Sequence, residues 1–112
     1  MTQKRPEKMT APRMLEAVKK EVGKRARVIQ IPDTLEALQS AVGGNIEVVS
    51  YDPNNIIVCN EDGLMLGLAE NCLGIVGNFL VLGRGSGAGE MGDVIGPKAV
   101  CAGLREAAPD DL

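Results

Sequence analysis

The sequence predicts an α+β fold: a mainly antiparallel sheet of about five strands, one packed helix and a short C-terminal helix. Three observations predict it. Only residues 33–42 combine a good cap, an apolar stripe at helical spacing and a closing glycine pair. Short β-branched runs separated by Pro, Asn, Asp and Gly recur along the chain, as hairpins require. Residues 74–83 carry no charge and read as a central strand covered on both faces.

The elements follow in order. Residues 1–13, with Pro6 and Pro12, read as a disordered basic lead-in to a single domain over 14–108, with 109–112 as a tail. Met14–Lys20 is open between helix and strand, since Leu15, Val18 and Val22 stand at helical spacing. Residues 26–31 form a clear strand ended by Pro32; if Met14–Lys20 is also a strand, the two make a hairpin around Gly23. In the helix, Asp33 or Thr34 is the N-cap, Leu35, Leu38 and Val42 form the stripe, and Gly43-Gly44 ends it. Residues 45–51 and 56–59 pair as a hairpin across the turn Asp52-Pro53-Asn54-Asn55. Leu64 to Leu68 is a brief strand or the start of a helical turn. In the central run Gly77 marks a bulge or a close backbone approach. The C-terminal helix has Pro97 in its first turn and Gly103 weakening it.

Composition narrows the function. The 112 residues hold no His, which removes the commonest general base and metal ligand, so no enzyme is expected and no catalytic or metal-binding residue is assigned. Cys59, Cys72 and Cys101, without any CxxC, suit neither a disulfide framework nor a zinc site and read as small apolar residues in a reducing cytoplasm. Tyr51 and Phe79 are the only aromatic residues, so the core is aliphatic. No apolar run approaches the ~20 residues of a membrane span. Residues 1–27 carry a net charge of +6 and residues 28–112 a net charge of −9. A basic arm on an acidic body suits an acidic partner or a solvated tail. Nucleic acid is not expected, because no aromatic residue interleaves the basic ones.

One segment has the composition of a site. In residues 83–89, glycines alternate with Arg84, Ser86 and Ala88, so free backbone N–H groups and one guanidinium stand ready for a phosphate. Arg84, Gly85, Ser86 and Gly87 are therefore candidate ligand residues, with Asn60 from the turn 60–63 as a further one. The spacing is neither a Walker loop nor a dinucleotide fingerprint, and the plainer reading of the segment is a surface linker. The uncharged run 71–83 suggests an apolar face covered by self-association, hence a homo-oligomer.

The run Asp33-Thr34-Leu35-Glu36-Ala37-Leu38-Gln39, then 42–47, Val58-Cys59-Asn60-Glu61-Asp62-Gly63, Leu66-Gly67-Leu68 and 75–83, resembles a family of phages, mobile elements and their bacterial hosts, the domain of unknown function numbered 3846. The resemblance covers about residues 14–92 and favours a strand at Met14–Lys20, with Val22 where the family usually has Pro. It brings no catalytic residues and no cofactor. It implies a setting in which small phage proteins counter host defence. The expectation is a non-enzymatic protein of the host cytoplasm that sequesters a phosphate-bearing, nucleotide-derived immune signal. The alternative is a protein–protein interaction module that inhibits a host protein.

Overall fold

The structure, a computed structural model, describes residues 12–85 and 90–107. Residues 1–11 of the expected lead-in and the expected tail at 109–112 lie outside the described residues.

Strand β1 (Met14–Lys20) pairs antiparallel with β2 (Arg27–Pro32), and Gly23 at the turn has the left-handed φ of 74° that a tight reversal favours. Met14–Lys20 is thus a strand. Its burial does not simply alternate: Leu15 and Ala17 are buried on one face, Val18 and Lys20 on the other. A strand with both faces covered has no solvent side to mark its period.

The helix α1 (Leu35–Val42) starts at Thr34, whose hydroxyl accepts the Ala37 N–H at 3.1 Å, and ends at Gly43, left-handed at φ 83°, whose N–H returns to the Gln39 carbonyl. Leu38 and Val42 are buried as the stripe requires, whereas Leu35 is more than half exposed on the first turn. Strands β3 (Ile46–Ser50) and β4 (Asn55–Asn60) form the expected hairpin. A four-residue helical turn, α2 (Gly63–Leu66), and a 3-10 turn at Cys72–Gly74 follow.

Strand β5 (Phe79–Arg84) is central, in the order β2-β1-β5-β4-β3, with every pairing antiparallel and a two-residue β6 (Met91–Gly92) on the end of β5. The uncharged run is only partly strand. Gly74 and Gly77 take φ of 72° and 82°, which breaks extension before Phe79. A Cβ on Gly77 would lie 2.7 Å from Leu68 Cδ1, the close approach its sequence position suggests.

Two cores flank the sheet. On one face α1 covers Leu15, Ala17, Ile56, Val58, Leu80 and Leu82. On the other, Val18, Ile57, Phe79 and Val81 pack with Cys72, Val94 and the helix α3 (Pro97–Ala107) through Val100 and Leu104. The C-terminal helix is therefore a second covering layer. Among the described residues no helix is long and apolar enough to cross a membrane.

Candidate functional site

The glycine-rich segment is where the phosphate chemistry was expected, and its described residues have other partners. Arg84 closes β5 and reaches across the hairpin turn: Nε donates to the Pro53 carbonyl at 3.1 Å, and Nη2 donates to the Asp52 carbonyl at 3.2 Å and to the Ser50 hydroxyl. Gly85 N–H donates to the Glu90 carbonyl at 3.0 Å, so the segment is the connection between β5 and β6. Ser86 and Gly87 lie outside the described residues. Asn60 is buried; its Nδ2 donates to the Val42 carbonyl at 3.1 Å and its Oδ1 accepts the Asp62 N–H at 2.7 Å. It joins the end of α1 to the turn before α2.

Asn60 and Arg84 do not converge. Asn55 pairs with Gly83, and Asn60 stands five residues farther along β4. Arg84 lies one residue beyond Gly83 in the other direction, opposite Asn54, so at ~3.3 Å per residue the two candidate positions are roughly 20 Å apart, at opposite ends of the sheet.

Asn55 and Asn71 are backbone substitutes of the same kind. Asn55 donates to and accepts from Ile95, at 3.0 and 2.9 Å, and so ties the lead into α3 to β4. Asn71 Nδ2 donates to the Lys20 and Gly77 carbonyls at 3.0 and 2.9 Å. Lys20 itself is buried at 1 % exposure and donates from Nζ to the Glu21 carbonyl at 3.0 Å.

The turn held by Arg84 is also an acid-sensitive point. Burial pushes the Asp52 carboxyl up, but bonds from the Asn54 N–H and from the Asn55 side chain and N–H, with Arg84 nearby, together hold it below its ordinary value. The Glu21 carboxyl is lowered by the Arg27 guanidinium, 2.6 Å from Oε1, with smaller help from Lys19 and Lys24. Both groups favour the folded state when ionised, so their contribution is present above the ordinary carboxylate range and lost as pH falls through it. The melting temperature is expected to hold at neutral pH and fall below about pH 4.5. A flat melting temperature down to about pH 3 would contradict this. Arg84→Ala is expected to cost about 1 kcal/mol, since its bonds are exposed, and urea titration measures it.

A different feature stands out at the end of the sheet where Asn60 lies. The helical turn α2 exposes Leu64 at 85 %, Met65 at 86 % and Leu66 at 59 %, and Leu73 is 49 % exposed. The turn is firmly built. Gly67, left-handed at φ 70°, returns its N–H to Gly63 and Leu64; Leu68 N–H donates to the Gly63 carbonyl at 3.0 Å. Gly63 sits so close to Val76 that a Cβ there would lie 2.6 Å from Cγ2. Leu73 is the one described non-glycine residue with positive φ, 62°, a costly conformation for a leucine left in solvent.

Beside α2 lies a cleft of about 220 Å³ lined by apolar Val49, Cys59, Leu64, Ile75 and Val76, with the carboxylates Glu47 and Glu61 also lining it. Burial, with Glu47 nearby, pushes the Cys59 thiol up, so it stays protonated and is a poor nucleophile. The sequence offered one sign of α2: three consecutive apolar residues bracketed by Gly63 and Gly67, with no alternation.

A family model described as Domain of unknown function (DUF3846) matches residues 14–96. No curated protein and no solved structure matches the chain.

Proposed function

The chain belongs to the family of domains of unknown function numbered 3846, and from that premise, which assigns no activity, we propose that it is a non-enzymatic protein-interaction module docking on a partner protein through α2. One observation carries the reading: Leu64 and Met65 stand almost fully in solvent on a helical turn that glycine contacts have already fixed. Isolated exposed leucines are ordinary, but adjacent large aliphatic residues on a preorganised tip are the form of an interface anchor. Preorganisation lowers the ordering cost of binding. In the setting the family resemblance implies, the partner is a protein of the host cytoplasm that this module inhibits.

The competing proposal, sequestration of a nucleotide-derived signal, is weakened because Arg84 is already bonded to the β3–β4 turn. Self-association through the uncharged run is weakened in part. Its strand part, Phe79 to Leu82, is covered within the monomer, and of the large apolar residues of that run only Leu73, beside α2, is left strongly exposed for an interface between copies.

The test is affinity capture from host lysate with the full chain and with Leu64→Asp/Met65→Asp. Both positions are exposed, so the variant is expected to keep the parent melting temperature within about 2 °C and to lose the captured protein. Equal capture by both proteins would sink the docking reading. Release of a nucleotide from the heat-denatured chain would favour sequestration, and light scattering of the same samples reports any assembly of copies.

A further inference from the structure

We propose that the cleft beside α2 receives an aliphatic side chain from a basic amphipathic segment of the partner, with lysine or arginine next to that side chain. This rests on the docking reading and adds the chemistry of what docks. The charge pattern is the first reason. From Val28 to Gly83 the chain has no Lys or Arg and seven Asp or Glu, and α2, the 3-10 turn and the cleft are all built from this stretch.

The cleft itself is the second reason. Its apolar lining of Val49, Cys59, Ile75 and Val76 suits one aliphatic side chain. Glu47 is the cross-strand partner of Cys59, and Glu61 N–H donates to the Asn45 carbonyl at 2.8 Å, which fixes both acidic residues beside the cleft. Among the described residues neither carboxylate has an ion-pair partner within 4.0 Å. An apolar anchor entering between them brings its own neighbours to the carboxylates, and a cation there is favoured over any other side chain. A second copy is a poor occupant, since a two-fold contact through this face would set Glu47 and Glu61 against like charges. A phosphate-bearing ligand is disfavoured for the same reason.

The probes are a synthetic amphipathic peptide of leucine and lysine and its counterpart with glutamate in place of lysine. Binding to the full chain is followed by fluorescence anisotropy, and its location by amide shifts in nitrogen-15-labelled protein. The lysine peptide is expected to bind and to shift amides at residues 47, 59, 61–66 and 73–76. The glutamate peptide is expected to bind at least tenfold more weakly, by about the worth of two partly exposed charge pairs. Glu47→Lys/Glu61→Lys should reverse that preference while keeping the parent melting temperature.

Equal binding of the two peptides, shifts on another surface, or no reversal in the double variant would overturn the proposal. The two readings fail separately. If Leu64→Asp/Met65→Asp loses the captured protein but the lysine peptide does not bind in the cleft, docking stands and the basic-partner inference falls. If the lysine peptide occupies the cleft while capture ignores those substitutions, the docking reading falls.

Discussion

Phe79→Ala is expected to remove about 3–5 kcal/mol, the largest loss from any single truncation in this chain. Phe79 is 0 % exposed on the central strand and packs among Val18, Val81, Cys72, Val100 and Leu104, where β5 meets β1 and α3. It is the sole phenylalanine, and the buried residues around it are aliphatic or cysteine; the one other ring of the chain, Tyr51, is only partly buried against the same cluster, so the space left behind is not readily refilled. A domain of this size has about 5–15 kcal/mol in total, so the variant is expected to melt at least 12 °C lower or to fail to fold. Phe79→Leu retains most of the volume and should cost less than about 2 kcal/mol. Urea titration followed by circular dichroism measures both. Similar midpoints for Phe79→Ala and the parent would show that the central strand is not the one described.

Gly83→Val is the second large effect, through backbone rather than core. A Cβ at Gly83 would lie 2.1 Å from the Asp93 carbonyl oxygen and 3.1 Å from its carbon, and neither atom is the mobile end of a side chain. Asp93 cannot withdraw cheaply. Its Oδ1 accepts the Glu16 N–H at 2.8 Å, and the next residue, Val94, donates to the Glu16 carbonyl at 2.9 Å. Valine therefore pushes β6 off β5 and pulls the lead into α3 away from β1. The expected cost is about 3 kcal/mol, the upper end of the overpacking range. Amide exchange at Glu16 and Val94 should accelerate before the rest of the sheet. Gly92→Ala is the control: its Cβ would be 3.8 Å from the nearest atom, the Arg84 carbonyl oxygen, and it should cost less than about 1 kcal/mol. Equal stability of Gly83→Val and the parent would exclude the close β5–β6 approach.

The two substitutions also separate what was legible in the residues from what was not. Local chemistry alone determined α1, because Thr34 can satisfy the first turn's N–H and Gly43 can take the left-handed close. It determined the β3–β4 hairpin as well, since Asp52, Asn54 and Asn55 bond within the turn itself. The absence of charge from 74–83 correctly placed a strand covered on both faces at the centre. Each of these rests on contacts between residues close in sequence, or on a composition that only one kind of environment tolerates.

Only the tertiary structure decided the rest, because the deciding contacts join residues far apart in the chain. Arg84 reads as a phosphate ligand until Pro53 and Asp52, some thirty residues earlier, are seen to take its N–H groups. Asn60 reads as a turn ligand until Val42 is seen to use it. Lys20 reads as a surface charge, yet strand pairing carries it into the core beside Phe79. The apolar run from Leu64 to Leu66 is the converse case. Composition would bury it, but the approach of Gly63 to Val76 and of Gly77 to Leu68 turns those three side chains outward. Hydrophobicity in a sequence measures the gain from burial, whereas which apolar residues are buried depends on which surfaces the folded backbone leaves uncovered.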